Sequence, residues 1–204
     1  MAREASVERN TKETEIKLKL NLDGKGYSDI ETGVGFFDHM LDGFTRHGFF
    51  DLCVRVHGDL QVDDHHTIED TGIVLGTAIK EAVGDKKGIR RFGSCILPMD
   101  ETLVLCAVDL SGRPYFAWDA GFTSEKIGNM STQMVKEFFY AISYTCGMNL
   151  HIRVLSGNGG DGAAPGNDHH IAEAMFKSFA KALDEAVSYD PRITDVLSTK
   201  GSLG

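Results

Sequence analysis

Short stretches of the chain alternate between apolar and polar residues, and this period of two predicts half-buried β-strands. The clearest stretch runs from Thr14 to Leu22, where every second residue from position 16 onward is isoleucine or leucine. The Asp-Gly-Lys-Gly segment at 23–26 predicts a turn, and a strand through Glu31 would then complete a hairpin. The same pattern predicts further strands at 51–57, 102–110, 114–118 and 150–155.

Four other stretches place apolar residues three and four positions apart, which predicts amphipathic helices. Two are short, at 37–47 and 132–145, and two are long, at about 65–83 and 170–188. Gly48, Gly84 and Gly147 lie at the ends of three of them, where glycine commonly terminates a helix. The predicted order of elements is therefore ββαβα in each half of the chain.

The two halves also match in sequence, which indicates an internal duplication. HHTIE at 65–69 is repeated as HHIAE at 169–173, and LCVRV at 52–56 resembles LHIRV at 150–154. The repeating unit is about 100 residues long, far longer than the repeats of solenoid proteins. We therefore predict two fused half-domains, residues 1–92 and 93–204, that form one compact unit.

Composition narrows the classes of partner. The chain has 204 residues and a formal net charge of −9, which argues against binding to a nucleic-acid backbone. No segment has the ~20 apolar residues of a membrane span, and the N-terminal residues lack the apolar core of a secretory signal. The four cysteines form no C-x-x-C pair, so we expect reduced thiols in a cytoplasmic protein.

The repeated His-His-x-x-Glu pentapeptide is the main chemical signal. Residues four apart share one face of a helix, so His65 and Glu69 can hold one ion together. The adjacent His66 points about 100° away around the helix axis and can reach a second ion. Imidazole and carboxylate ligands without thiolates suit Mn, Fe, Co or Zn, so we predict a pair of metal sites. One copy alone could be an ordinary surface feature, but two copies in matching contexts argue against that interpretation.

His39 lies on the first short helix, on the side opposite its apolar residues. Aligning the two short helices brings Glu137 to the corresponding position of the second. If His39 binds a metal, Glu137 is the candidate that matches it, although an ordinary solvated carboxylate would give the same pattern. His151 is a rival near the second motif. We favour Glu137 because the repeat counterpart of His151 is Cys53, in a predicted core strand.

Seven segments, taken together and in order, resemble the signature segments of the imidazoleglycerol-phosphate dehydratases. With a TKET segment at 11–14, the resemblance covers almost the whole chain, and the combination is far more specific than any one motif. The segments are GFFDHMLD at 35–42, DHHTIED at 64–70, RFG at 91–93, MDE at 99–101, SGRPY at 111–115, HHIAE at 169–173 and STKG at 198–201.

The resemblance implies an α+β fold of two duplicated halves, each a four-stranded sheet packed on two helices, of the ribosomal protein S5 domain 2-like kind. It also implies a 24-subunit particle whose active sites lie between subunits and each hold two Mn²⁺ ions, with no organic cofactor. Glu137 stands at an eighth ligand position where the family often has histidine, which is a departure from its pattern. The other implied ligands are His39, His65, His66, Glu69, His169, His170 and Glu173.

The implied reaction removes water from D-erythro-imidazole glycerol phosphate to give imidazole acetol phosphate, in L-histidine biosynthesis. Glu13 and Glu173 would exchange the protons, and Asp100 is a weaker candidate that could instead orient a histidine. The substrate would also contact Glu13, His39, His65 and His169. Its phosphate would bind Arg91, Arg113, Lys177, Ser198 and Lys200.

A glycine-rich stretch at 157–167 looks longer than the family's usual connection, and it predicts a surface loop that could alter access to the site. The residues alone leave two other functions open. A di-metal hydrolase with a bridging hydroxide would share the ligands without needing a phosphate site. An assembly protein with metals as interface staples would bind the ions without turnover.

Overall fold

The computed structural model describes residues 3–157 and 166–203. The first half consists of β1 (Glu4–Asn10), β2 (Thr14–Asn21), β3 (Ser28–Glu31), α1 (Gly35–Gly48), β4 (Asp51–Gly58) and α2 (His65–Val83). The second half repeats this order and adds a small two-stranded hairpin before its first helix. Its elements are β5 (Phe92–Met99), β6 (Thr102–Asp109), β7 (Tyr115–Asp119), β8 (Lys126–Ile127), β9 (Met130–Ser131), α3 (Gln133–Cys146), β10 (Asn149–Ser156) and α4 (Asp168–Val187).

Each half forms its own four-stranded sheet, with strand orders β1-β2-β4-β3 and β5-β6-β10-β7. The first three strands in each order are antiparallel. The last strand, β3 or β7, pairs in parallel with β4 or β10. The predicted α+β fold with two duplicated halves is therefore confirmed.

The predicted hairpin between the strand at 14–22 and the strand ending at Glu31 is wrong. β2 pairs with β1 on one side and with β4 on the other, so it has no free edge for β3. β3 lies at the far edge of the sheet instead, parallel to β4. A parallel pair needs a crossover connection, and α1 provides it. The turn at 23–26 therefore joins two strands that are not neighbours.

The predicted order ββαβα missed one strand in each half, because neither strand has a clear pattern of alternation. β1 is an edge strand in which no side chain is fully buried, so Ala5 and Val7 give only a weak signal. β5 contains Gly93 and Pro98, both of which are disfavoured within strands. With these strands included, each half has the order βββαβα.

The helices agree closely with the prediction except at the end of α1. Gly84 follows α2 as expected, with a φ of 63°. At the end of α1, however, Phe49 takes the left-handed conformation with a φ of 57°, and Gly48 is the last helical residue. A Cβ on Gly48 would lie 2.3 Å from the ring of Phe50. Packing, rather than backbone conformation, therefore requires glycine at this position.

Most of the predicted surface loop at 157–167 lies outside the described residues. At its two ends, the Gly166 N–H donates a hydrogen bond to the Gly157 carbonyl oxygen at 2.7 Å. The strand β10 and the helix α4 that the loop connects are thus held close together at this point.

The four helices form a layer between the two sheets. α2 packs on β1 and β2, and α4 packs on β5 and β6. Two helix pairs, α2 with α3 and α1 with α4, join the halves. Aromatic rings also pack between the halves: Phe37 of α1 meets Phe138 of α3 at 5.1 Å, and Phe44 of α1 stacks on Phe179 of α4 at 5.7 Å. The core thus consists of both halves together.

Two further predictions concern the chain's environment. All four cysteines are free thiols, as expected, and Cys106 and Cys146 are buried. Burial raises the pKa of the Cys146 thiol to about 12. Among the described residues, no helix combines the length and the apolar character needed to cross a membrane.

Close packing of α2 on α3 depends on two glycines one helical turn apart. A Cβ on Gly72 would lie 2.8 Å from the carbonyl oxygen of Phe138, and one on Gly76 would lie 2.8 Å from that of Ile142. Because these neighbours are backbone atoms of α3, a larger residue at either position must move one helix away from the other.

We expect Gly76→Ala to lower the free energy of unfolding by about 1–3 kcal/mol, because the methyl group forces α2 and α3 apart. Gly43→Ala in α1 is the matched control, since a Cβ there would meet open space. That change is expected to raise the free energy of unfolding by roughly 0.5–1 kcal/mol. Denaturant titration of the two metal-free variants measures both values, and equal effects would contradict the packing argument.

Candidate metal centre

The N-terminal turn of α4 brings three potential metal ligands together. Ligand atoms of His39, His169 and Glu173 lie within 4.8 Å of one another. His169 Nε2 is 3.1 Å from Glu173 Oε2, and His39 Nε2 is 3.9 Å from Glu173 Oε1. The sequence pattern anticipated the pairing of His169 with Glu173 on one helical face, and the contact between α1 and α4 adds His39.

Phe36 supports this cluster from the start of α1. Its ring lies 5.0 Å from the imidazole of His169, in an edge-on arrangement. The rings of His39 and His169 are 5.6 Å apart. The first turns of two helices from different halves of the chain therefore build this group of ligands.

Glu173 is held in its ionised form. Its side chain is only 13% exposed, and Lys177 Nζ lies 2.8 Å from Oε1. Burial opposes ionisation, but the hydrogen bond and charge of Lys177, with the charges of His39 and His169, hold the pKa of Glu173 below its usual value. Lys177, predicted as a phosphate ligand, thus contacts the predicted metal ligand Glu173.

The N-terminal turn of α2 repeats the same pair. His65 Nε2 lies 3.3 Å from Glu69 Oε2. His66 points to a different group of carboxylates: its Nδ1 is 3.0 Å from Asp59 Oδ2, and its Nε2 is 3.9 Å from Glu13 Oε1. The hydrogen bond with Asp59 raises the pKa of His66. Adjacent histidines therefore face different partners, as expected from their positions on a helix.

His170 has a comparable environment at the start of α4. Its Nδ1 lies 3.1 Å from Glu101 Oε2, and its Nε2 lies 3.8 Å from Asp100 Oδ2. The backbone N–H of Asn167 donates to Glu101 at 2.7 Å. This bond, more than the contact with His170, lowers the pKa of Glu101 to about 2. Ligand atoms of Asp100, Glu101 and His170 form the second group within 4.8 Å.

The two rivals for the eighth ligand position lie apart from these groups within the chain. Among the described residues, Glu137 makes no ion pair and belongs to neither group of potential ligands. His151 is exposed on β10, between buried Leu150 and Ile152, and its ring lies 5.6 Å from that of Tyr115. His151 therefore points away from the core, on the outer face of the second sheet.

Four of the five predicted phosphate ligands line a single cavity of about 680 Å³. The C-terminal residues 192–200, 202 and 203 form most of its wall. Arg91 is already engaged there, because its guanidinium forms a fork with Asp109 and donates to the Leu197 carbonyl oxygen at 2.8 Å. The four predicted residues are Arg91, Arg113, Ser198 and Lys200, and the cavity adds Arg192.

Both His-His pairs are preceded by an aspartate that binds the same segment, residues 123–131, which we call the strap. Asp64 accepts hydrogen bonds from the Ser131 N–H and hydroxyl, the latter at 2.8 Å. Asp168 accepts from the N–H and hydroxyl of Thr123 and, at 2.6 Å, from the Ser124 N–H. The strap thereby connects the two helix ends that carry the predicted metal ligands.

These aspartates are 7% and 6% exposed. Burial opposes ionisation of Asp168, but the donors of Thr123 and Ser124 hold its pKa below its usual value. Neither side chain caps its own helix; at α4 that role belongs to Asn167, which accepts from the His169 N–H. Hydrogen bonds donated by the strap therefore satisfy these buried carboxylates.

Sequence reasoning missed several of these residues. Asp59, Asp64, Glu101 and Asp168 were not identified as functional, although Asp64 and Glu101 lie in segments used for the family resemblance. The sequence did contain a signal for Asp64 and Asp168, because an aspartate directly precedes each His-His pair. Asp59 and Glu101 had no such signal, because their contacts with histidines depend on how the connecting loops fold.

The donor set fits a divalent transition metal. Within the described residues, the candidate ligands are imidazole nitrogens and carboxylate oxygens, without thiolates. Such ligands suit Mn and the later first-row metals. No group within 4.8 Å combines ligands from both His-His pairs, so the described part of one chain presents two separate incomplete sets.

Comparison with known proteins bears on the family of this chain. A family model for imidazoleglycerol-phosphate dehydratase matches residues 32–183. An imidazoleglycerol-phosphate dehydratase of Lachnoclostridium phytofermentans is 64% identical over 203 residues, covering 100% of both chains. One of Acetivibrio thermocellus is 56% identical over 203 residues, with the same coverage.

Solved structures give the same result. The imidazoleglycerol-phosphate dehydratase of Staphylococcus aureus superposes with a TM-score of 0.80 and 38% identity, covering 92% of this chain and 99% of that chain. The IGPD of Pyrococcus furiosus gives a TM-score of 0.79 and 34% identity, covering 97% and 100%. On the family model, the full-length relatives and the shared fold, this chain belongs to the imidazoleglycerol-phosphate dehydratase family.

Proposed function

We propose that this chain is a hydro-lyase that removes water from D-erythro-imidazole glycerol phosphate to give imidazole acetol phosphate, within L-histidine biosynthesis. The observation that carries the proposal is the paired His-His-x-x-Glu helix ends in a member of this family, each with its histidine and glutamate on one helical face. The four free cysteines fit our expectation of a reducing cytoplasm.

Two Mn²⁺ ions per active site remain our proposal for the cofactor. Such ions, when bound, would act as Lewis acids and stabilise negative charge on the substrate's imidazole ring. The residues that would hold the ions are those that the sequence predicts, with Glu137 and His151 as alternatives for the eighth ligand. The other seven are His39, His65, His66, Glu69, His169, His170 and Glu173.

A second copy of the chain would complete these sites. One chain offers its two His-His-x-x-Glu sets at different helix ends, the starts of α2 and α4, and among the described residues no group within 4.8 Å combines them. This separation supports the expected assembly, a 24-subunit particle with active sites at subunit interfaces. It also allows a ligand that faces outward, such as His151, to serve a neighbour's site.

Glu13 is the better candidate for proton exchange. Its carboxylate is half exposed and lies 3.9 Å from His66 Nε2, near the atom that would bind a metal. The loop around it is fixed, since the Thr11 hydroxyl accepts from the Glu13 and Thr14 N–H groups at 3.1 and 3.0 Å. Glu173 is constrained differently, because Lys177 and His169 already contact both of its oxygens.

The cavity at the C-terminal segment would take the phosphate. Arg113 contributes a guanidinium that makes no ion pair among the described residues, and Ser198 and Lys200 add a hydroxyl and an ammonium group. Arg91 is held by Asp109, so it keeps a fixed orientation at the cavity wall. Such preformed cationic walls suit a phosphate ligand.

Metal removal tests the proposed reaction. Chelation is expected to abolish formation of the acetol phosphate, and added Mn²⁺ is expected to restore it at about two ions per chain. Product analysis and metal content are measured on the same samples. Full turnover by metal-free protein would contradict the proposal. Release of inorganic phosphate would instead favour a hydrolase, and metal binding without turnover would favour an assembly protein.

Glu13→Gln is expected to lower kcat by about 100- to 10,000-fold, because the amide cannot exchange the proton. KM and Mn²⁺ content should stay near their wild-type values. Glu15→Gln is the matched control: this exposed carboxylate on β2 only approaches Lys17, at 3.8 Å, and its loss should leave kcat within a few-fold. A Glu13→Gln variant with wild-type kcat would remove Glu13 from the mechanism.

A further inference from the structure

We infer that Asp59 and Glu101 are a matched pair of positioning residues, which fix the second histidine of each His-His pair with its Nε2 free to bind a metal. The inference rests on the proposed function, since it concerns the residues that would hold the ions. It adds two residues from outside the His-His-x-x-Glu motifs to the machinery of the site.

Asp59 holds His66 through one ring nitrogen. Both of its carboxylate oxygens lie close to Nδ1, at 3.1 and 3.0 Å. Asp59 itself is fixed, because its N–H donates to the Glu13 carbonyl oxygen at 3.1 Å and its side chain is only 16% exposed. The carboxylate therefore approaches His66 from a rigid position just after β4.

Glu101 holds His170 in the same manner. Its two oxygens lie 3.2 and 3.1 Å from Nδ1 of His170. One of them also accepts from the Asn167 N–H, and the Glu101 carbonyl oxygen accepts from the Ser156 hydroxyl at 3.3 Å. The two-residue turn between β5 and β6 is thus fastened to the start of α4.

The chemistry of imidazole explains why this contact matters. A carboxylate that accepts a hydrogen bond from Nδ1 keeps the proton on that nitrogen. The lone pair then lies on Nε2, which is the atom a metal needs, and the ring cannot rotate without breaking the bond. Asp59 and Glu101 therefore select both the tautomer and the orientation of His66 and His170.

The internal duplication allows the carboxylates around His66 and His170 to be compared position by position. Glu13 and Glu101 are repeat counterparts, because each ends the turn before the second strand of its half, at Thr14 and Thr102. Yet Glu13 lies on the Nε2 side of its histidine, at 3.9 Å, whereas Glu101 lies on the Nδ1 side. The equivalent glutamates thus have different tasks in the two halves.

A second carboxylate fills the other position in each half. Asp59 occupies the Nδ1 side of His66, and Asp100 lies 3.8 Å from Nε2 of His170. Each second histidine therefore has one carboxylate that orients it and one that faces its ligand atom. Asp100, predicted as a weaker candidate for proton exchange or for orienting a histidine, takes the ligand-facing position, and Glu101 takes the orienting one.

The inference is tested by titrating the full chain with Mn²⁺ in the absence of substrate and measuring the bound ion by electron paramagnetic resonance. Asp59→Ala and Glu101→Ala are each expected to weaken Mn²⁺ binding by about 10- to 100-fold. Asp59→Asn and Glu101→Gln keep an acceptor oxygen and should recover part of the loss. Glu81→Ala is the control, because Glu81 is an exposed carboxylate on α2, and it should bind Mn²⁺ as the wild type does.

Thermal unfolding of the metal-free variants separates positioning from folding. Wild-type affinity in the alanine variants, even with a lower melting temperature, would overturn the inference. Equal losses in the alanine and amide variants would also overturn it, since acceptor geometry would then be irrelevant. If the wild-type chain itself bound no Mn²⁺, the proposed function would fail first, so the two failures are distinguishable.

Discussion

The placement of the predicted metal ligands depends on two buried carboxylates that cannot remain without partners. A charged group removed from water costs several kcal/mol unless hydrogen bonds compensate it. Asp64 and Asp168 find their donors in the strap, and each directly precedes a His-His pair. Satisfying the two carboxylates therefore fixes the start of α2 and of α4 to one segment. The strap is in turn anchored by Met130, which is 1% exposed in the core.

Although the two halves have the same order of strands and helices, their polar networks differ. In the first half, the Thr14 hydroxyl donates to Asp70, which also pairs with Arg9. These contacts attach the turn that contains Glu13 to α2. In the second half, the counterpart of Asp70 is Ala174, and the buried Thr102 hydroxyl has no partner among the described residues. The two halves thus share one backbone arrangement, but the turns before β2 and β6 carry different side-chain networks.

The sequence predicted local features well and tertiary neighbours poorly. The bounds of α2 and the shared face of His65 and Glu69 follow from helical periodicity, which needs no knowledge of the rest of the chain. The pairing of β3 failed, because alternation shows which face of a strand is buried but not which strand lies beside it. Glu101 was missed for the same reason: it meets His170 across 69 positions of sequence. Such contacts depend on how loops fold, and loops carry little periodic signal.

Exposure of the ligands bears on the proposed assembly. The side chains of His39, His65 and Glu69 are 48%, 43% and 37% exposed, so an ion held at either helix end would be open to solvent on one side. Under the proposed assembly a neighbouring chain would cover that side, and it could do so with the unlike helix end, because the two helix ends of one chain carry different ligands. Contacts between unlike surfaces are heterologous and must close into rings or shells to avoid open-ended growth. The closed particle with shared sites that we propose is one arrangement that would cover the exposed ligands of a duplicated chain whose halves carry unlike sets.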